Sequence, residues 1–287
     1  MEPTSARAML AKYALAASRR RGQNFLVDPN VARNVVTAVG AGPTDVVVEV
    51  GPGFGAITFG LAEAAAEVVA VEIDSGIAGA FRTEYGDVPR VTLVEGDFLA
   101  FDLEEAARSR GVTRILVAGN LPYSVTSPVI RRLTERKALV PRAVLMVQAE
   151  VGARIAAGPG TKDYSALSVV VHYHAAVRSL FAVRRTCFHP RPKVDSRLIE
   201  IDFAGGPERR SDPARFSEVV HAAFQERRKM LRRSLAKTLA GACVAAPELS
   251  ARTGIDLARR GEDLTVEEFD RIAEALGPGP QETRGAW

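Results

Sequence analysis

At 287 residues the chain is long enough to bury a full core and to hold one large and one small domain. Its 47 % hydrophobic and 25 % charged residues argue against extended disorder, and no apolar run approaches the ~18 residues of a membrane span, which sets membrane-spanning classes aside. A net charge of +4 hides two basic clusters, Arg7, Lys12, Arg19, Arg20 and Arg21 near the start and Arg227, Arg228, Lys229, Arg232, Arg233 and Lys237 further on; these suit either a polyanion partner or solvated faces.

Residues 1–22 are rich in Ala, Arg and Ser and poor in acid, a composition shared with transit peptides. The basic run leads directly into Gly22-Gln23-Asn24-Phe25-Leu26, which favours a basic N-terminal arm. Asp28-Pro29 opens a helix, Asp28 as its cap and Pro29 at the first helical position, and Val31, Val35, Val36 and Val39 supply its apolar face. Short apolar strands then alternate with helices. Strands are expected over 45–50, 68–73, 91–95, 113–118 and 142–148, and helices over 56–65, 76–84, 102–109 and 126–136. This alternation predicts an α/β fold with a mostly parallel sheet covered on both faces.

Gln148-Ala149-Glu150-Val151 begins another helix, and 158–164 forms a loop, either a plain connection or a flank of a polyanion entrance. His172 and His174 alternate with Val171, Tyr173 and Ala175 as in a strand, and read as core or surface histidines rather than a metal pair. Phe188 lies on a proline-bracketed loop among Arg184, Arg185, Arg191 and Lys193, a base-stacking ring beside a phosphate-contacting rim. Cys187 and Cys243 fit no metal spacing and are expected to be reduced thiols in a cytoplasmic protein; no metal site is expected. A linker near 204–210 precedes helices over 213–224, 227–240, 247–252 and 265–276, the last opened by a Thr265-x-x-Glu268 capping box.

Ligands of parallel sheets bind at the carboxyl ends of the strands. The first strand ends in Glu49-Val50-Gly51-Pro52-Gly53-Phe54-Gly55, a turn whose glycines let a ligand approach the backbone. Gly51-x-Gly53-x-x-Ala56 also fits a loose dinucleotide fingerprint, so hydride transfer and methyl transfer both stand at this point. The second strand delivers Glu72, a carboxylate placed to accept from both hydroxyls of a ribose. The third delivers Asp97, an acceptor for an adenine amine, and Phe98, a surface for its ring. The fourth delivers Asn120-Leu121-Pro122-Tyr123. An amine conjugated to adenine is a poor nucleophile. The Asn120 side-chain oxygen and the Leu121 carbonyl, held rigid by Pro122, can accept from its two N–H groups and favour a pyramidal nitrogen, while Tyr123 stacks on the base. Hydride transfer needs none of this.

Five ordered blocks, Gly22 to Leu26, Glu49 to Gly55, Val71-Glu72-Ile73-Asp74, Asn120 to Tyr123, and Phe188-His189-Pro190-Arg191-Pro192-Lys193-Val194-Asp195-Ser196, resemble the signatures of the rRNA adenine dimethyltransferase family from about residue 18 to 276. The resemblance implies a Rossmann-like methyltransferase domain over 23–204, a small all-α RNA-binding domain over 210–276 and a tail over 277–287. It also implies S-adenosyl-L-methionine as donor and dimethylation of an adenine amine in ribosomal RNA. Donor contacts are expected from Asn24, Leu26, Gly51, Glu72, Asp97 and Asn120, with Glu49, Gly53, Gly55 and Phe98 completing the pocket. Base contacts are expected from Asn120, Leu121, Pro122, Tyr123 and Phe188. Backbone contacts are expected from Arg184, Arg185, Arg191, Lys193, Arg227, Arg228, Lys229, Arg232 and Arg233. The Asn-Leu-Pro-Tyr form and the Arg-Arg-Lys run resemble the small-subunit branch more than the macrolide-resistance branch, which acts on large-subunit RNA. Arg21 and Ser124 depart from the small-subunit pattern. The implied substrate is ribosomal RNA in a pre-formed small subunit, handled by a monomer without a membrane partner. An RNA-binding assembly factor with secondary catalysis is the alternative from another class.

Overall fold

In the computed structural model, which describes residues 3–18, 21–122 and 125–279, the apolar runs become strands β1 (Phe25–Leu26), β2 (Val46–Val50), β3 (Glu67–Glu72), β4 (Val91–Glu95), β5 (Leu116–Asn120), β6 (Arg142–Gln148), β7 (Ala176–Val183), β8 (Phe188–His189) and β9 (Ser196–Asp202). Seven form one sheet in the order β4-β3-β2-β5-β6-β9-β7, and β1 pairs with β8 in a separate two-stranded ribbon. The pairs from β4 through β6 are parallel, and β9 runs antiparallel to β6. All five residues of β2 are buried, as a central parallel strand requires. After β2 the chain moves outward through β3 and β4, then returns to the other side of β2 as β5. That reversal opens a crevice at the carboxyl ends of β2 and β5.

Helices α1 (Ala6–Lys12), α2 (Pro29–Val39), α3 (Thr58–Ala64), α4 (Ser75–Tyr85), α5 (Leu103–Arg108) and α6 (Thr126–Glu135) accompany the sheet. Asp28 caps α2 by accepting from the N–H groups of Asn30 and Val31 at 2.9 and 3.1 Å. α3 starts two residues later than its pattern predicts, because Ala56 and Ile57 belong to the glycine turn. α1 was not foreseen as packed structure: Met9 is fully buried and joins Phe54, Ile77 and Ala80 in a small apolar cluster.

Two compact units result, the described residues up to Gly152 with Arg178–Ala204, and Ala153–Val177 with the described residues from Gly205 onward. The second unit therefore takes in a stretch that the sequence pattern assigns to the 23–204 domain. After α7 (Ala149–Ile155), that stretch forms α8 (Ala166–His174), a helix where an alternating strand is expected for Val171 to Ala175. Val169, Val170 and Tyr173 of α8 share a core with Phe216, Val219 and Phe269. The remaining helices are α9 (Pro213–Gln225), α10 (Leu231–Ser234), α11 (Ala236–Gly241), α12 (Ala246–Thr253) and α13 (Val266–Leu276). The single helix expected over 227–240 is broken. Residues 226–229 turn, and the N–H groups of Leu231 and Arg232 donate to Arg259 and Leu257 carbonyls at 2.9 and 3.0 Å. The expected capping box on α13 is present: Glu268 N–H donates to Thr265 Oγ1 at 3.2 Å and Thr265 N–H to Glu268 Oε2 at 2.8 Å.

Candidate active site

The crevice of the first unit is a cleft of about 1020 Å³. Of the residues expected to hold a donor, Asn24, Leu26, Glu49, Gly51, Gly53, Glu72, Asp97, Phe98 and Asn120 all line it. Gly55 does not. A Cβ built on Gly55 would stand 2.6 Å from the Phe59 ring, so its role is to let α3 pack under the turn. Gly51 has φ +68°, and a Cβ there would project into open space, room that a ligand can occupy against bare backbone. Gly119, one residue before Asn120, is demanded by packing, since a Cβ there would lie 2.6 Å from the Val50 carbonyl oxygen.

Glu72 ends β3 almost wholly buried, with Oε2 accepting from Gly53 N–H at 3.1 Å and Oε1 from Asp74 N–H at 2.9 Å. Burial pushes its pKa up, against the pull of those two N–H groups. Asp74 is a hub that the sequence pattern did not single out. It caps α4 through Gly76 and Ile77 N–H, receives Gln23 Nε2 at 3.1 Å and pairs with the Arg21 guanidinium. Burial works to raise its pKa, but Gln23, the Ile77 N–H and Arg21 outweigh it and hold the carboxyl below its usual range. The glycine turn, Glu72, Asp74 and the Gly22-to-Leu26 block are thus one bonded assembly.

Glu49 sits on the central strand at 1 % exposure, facing the cleft, and its Oε2 meets no hydrogen-bond partner among the described residues. Burial pushes its pKa up to about 8; Thr58 opposes the shift and Glu72 adds to it.

Asn120 ends β5, and its Nδ2 donates to the Asn24 carbonyl at 2.9 Å. Asn24 in turn donates its own Nδ2 to Gly22 O at 2.9 Å. With the amide nitrogen engaged, Asn120 presents its oxygen as the remaining acceptor. The turn beyond is pinned by Leu121 N–H on Met146 O at 2.9 Å and Val125 N–H on Pro122 O at 3.2 Å. Leu121, Pro122 and Phe188 line the cleft. Phe188 is 5 % exposed and packs with Leu26, Val183 and Leu198, so it is as much a core ring as a lining one. Tyr123 lies outside the described residues, as do Arg19 and Arg20 of the basic arm.

Arg184, Arg185, Arg191 and Lys193 are exposed in the first unit, clear of the cleft lining. Arg185 is tied to its own loop, its N–H on Asp195 at 2.8 Å and its guanidinium on the Lys193 carbonyl at 3.1 Å. In the second unit Arg227 donates to the Tyr164 carbonyl at 3.0 Å and to Glu262 at 3.1 Å, and Lys229 pairs with Glu226 at 2.7 Å. Arg228, Arg232 and Arg233 are exposed and pair with no acidic side chain among the described residues. In the arm, Lys12 pairs with Glu84 at 2.6 Å and Arg21 pairs with Asp74, so both serve internal contacts. No group of metal-binding residues occurs among the described residues.

Residues 15–277 match the family model described as ribosomal RNA adenine dimethylase. The chain is 42 % identical over 275 residues to the ribosomal RNA small subunit methyltransferase A of Desulforapulum autotrophicum, covering 93 % of this chain and 95 % of that protein. It is 40 % identical over 287 residues to the protein of the same name from Streptomyces avermitilis, covering 96 % and 93 %. Among solved structures it shares its fold with the 23S rRNA methyltransferase ErmE, at TM-score 0.69 and 23 % identity over 88 % of this chain and 99 % of that one. It likewise shares it with a dimethyladenosine transferase from Plasmodium falciparum, at TM-score 0.71 and 21 % identity over 86 % and 95 %. With its glycine turn, Glu72 and Asn120 gathered on one cleft and the match running nearly end to end, the chain belongs to the ribosomal RNA adenine dimethylase family.

Proposed function

We propose that this enzyme transfers methyl groups from S-adenosyl-L-methionine to the exocyclic amine of adenosines in small-subunit ribosomal RNA, two to each base. The observation that carries this reading is the fixed Asn120 amide: with Nδ2 held by the Asn24 carbonyl, the oxygen is left to accept from an incoming amine. The cleft fits the donor. Open space over Gly51 suits a ligand lying against the backbone, the Glu72 carboxyl at the cleft suits ribose hydroxyls, and the Glu49 Oε2, unpartnered among the described residues, suits an ammonium. When bound, the donor supplies an electrophilic methyl on a sulfonium.

The protein's part is positioning. Asn120 and the rigid turn through Pro122 hold the amine so that its lone pair faces the methyl, and approach along one line does most of the work. As the new N–CH3 bond forms, the S–CH3 bond breaks and a neutral thioether leaves; no general base is required, because the cationic amine then releases its proton to solvent. The acidic cleft walls lower the cost of that transient charge. Small-subunit RNA is favoured over large-subunit RNA by the sequence likeness to small-subunit methyltransferases at about 40 % identity, whereas the likeness to ErmE is one of fold. The preferred substrate is a pre-formed small subunit, and the enzyme works as a monomer in the cytoplasm.

The test is to incubate the purified protein with labelled donor and either naked rRNAs or undermethylated small subunits, then map the modified bases. Label at small-subunit adenines is expected, and label in large-subunit RNA alone overturns the choice of target. Asn120→Ala should lower kcat by at least ~100-fold, the scale of losing one preorganised polar contact to the reacting group. A normal kcat with unchanged donor affinity would remove Asn120 from the chemistry.

A further inference from the structure

We propose that Arg132 is a positioning residue for donor recognition: from α6 it fixes the turn after β4 so that the Asp97 carboxylate meets the amine of the donor's adenine. This rests on the donor site proposed above, with Asp97 as the partner of that amine. Asp97 touches the ligand, and Arg132 acts through it.

The geometry is a chain of bonds. Arg132 Nη1 donates to the Leu99 carbonyl at 2.7 Å, and its Nη2 donates to the Phe101 carbonyl. The Leu99 N–H donates to Asp97 Oδ1 at 2.8 Å, and the Phe101 N–H donates to the Phe98 carbonyl at 3.3 Å. Each carbonyl held by Arg132 thus belongs to a residue whose N–H holds one of the cleft residues Asp97 and Phe98. With Oδ1 engaged by Leu99, the exposed Asp97 carboxylate is turned so that Oδ2 is left to accept from a ligand.

The turn and the helix meet across the fold. In the sheet order β4-β3-β2-β5 two strands separate β4 from β5, and the guanidinium spans 33 and 31 positions of chain to reach its two carbonyls. Val125 and Val129, at the start of α6 and within it, also line the cleft, so the fork fastens one wall of the cleft to another. Nearby Arg131 pairs with Glu135 and Arg136 with Glu104, whereas Arg132 pairs with no acidic side chain among the described residues and gives both arms of its fork to carbonyls. Two parallel charge-assisted bonds from a planar group set direction as well as distance.

The probes are S-adenosylhomocysteine and S-inosylhomocysteine, which differ in the purine: a 6-amine in the first, a 6-carbonyl in the second. Calorimetric titration of the full chain gives the affinity of each. Wild-type protein should prefer S-adenosylhomocysteine by at least ~30-fold, the scale of losing a hydrogen bond to a charged group and leaving acceptor against acceptor. Arg132→Ala should reduce that preference about tenfold, by weakening S-adenosylhomocysteine while S-inosylhomocysteine stays within about twofold. Equal weakening of both probes makes Arg132 a general support of the cleft and overturns the proposal, as does an unchanged preference. Where Ala fails to fold, Arg132→Lys decides, because an ammonium keeps the charge but cannot fork to both carbonyls: a preference reduced at least about threefold bears the proposal out, and an undiminished one overturns it. If wild-type protein binds both probes equally, Asp97 is not the partner of the amine, and the proposal falls with the donor cleft still standing. If neither probe binds, the donor site itself falls, and this proposal with it.

Discussion

Gly119 shows how little freedom a single residue has at the centre of this site. The 2.6 Å from a built Cβ to the Val50 carbonyl can be relieved only by parting β2 from β5, the two strands that carry Glu49 and Asn120. Gly119→Ala should therefore cost about 1–3 kcal/mol of stability, read by denaturant melts, and lower turnover as well. Glu49 has a consequence for stability apart from any ligand. Its folded pKa of about 8 lies above the 4.5 of a free glutamate. Between those values the native state holds a proton that the unfolded chain has released. Its contribution is thus fully present below pH 4.5 and lost as pH rises through about 8. Glu49→Gln should flatten the fall in melting temperature between pH 6 and pH 9. At this scale the sequence was informative about place: Glu72 and Asn120, expected at strand ends, both line the cleft. It gave Asp74 a place in a motif but no role, since that role comes from Arg21 and Gln23 meeting it from 53 and 51 residues away, and it missed the packing duty of Gly55.

Among the elements, α1 is fastened by a few identifiable contacts. Glu84 of α4 accepts from Lys12 Nζ at 2.6 Å, Tyr13 OH at 2.8 Å and Thr4 Oγ1 at 3.1 Å, and Met9 fills the apolar cluster beneath. Tyr85 OH accepts from Thr4 N–H at 2.9 Å and donates to the Phe54 carbonyl at 3.2 Å, which ties the start of α1 to the glycine turn. The bonds from Lys12 and Tyr13 hold the Glu84 carboxyl below its usual range. Their contribution is present above the ordinary glutamate range and lost as pH falls through the depressed folded value. Glu84→Ala should raise hydrogen exchange across residues 5–13 at neutral pH, and wild-type protein should show the same loss of protection in acid. Met9→Ala should cost about 2–4 kcal/mol.

The strand and helix alternation was legible because each central strand is a short valine-rich run bounded by turn residues. α8 was not, for a physical reason. Val169, Val170 and Val171 are β-branched and sit in a run too short for a period of 2 to be told from one of 3.6. Ser168 decides locally, accepting from Ser165 N–H at 3.0 Å at the helix start and donating to the Arg154 carbonyl at 2.5 Å. Burial against α9 and α13, which no local pattern announces, completes the choice.

At the scale of the molecule, the first unit holds the cleft and the second carries a basic helical cluster whose residues are of two kinds. Arg227 joins the loop before α8 to the segment near Glu262 and is part of the second unit's frame. Arg228, Arg232 and Arg233 are exposed and have no acidic partner among the described residues. Replacing each of these three by Ala should weaken RNA binding and reduce the slope of log affinity against log salt by about one per lost phosphate contact. Arg227→Ala should instead lower the melting temperature and leave that slope unchanged. A slope that responds to Arg227 and ignores the other three would reverse the assignment. Charge clustering in the sequence could not separate these residues, because carbonyl partners such as Tyr164 lie 63 positions away.

The ribbon that pairs Leu26 with Phe188 and Phe25 with His189 also sets a schedule. A growing chain makes Asn24 early, but the strand beside it has no partner until residues 188 and 189 have left the ribosome. Until then the block that carries the Asn24 carbonyl is held by the bonds to Asp74 but lacks the support of the ribbon. The cleft is therefore finished by one of the last segments of the first unit to be synthesised, so a nascent chain arrested short of residue 188 should have the sheet's parallel strands yet fail to retain a donor analogue.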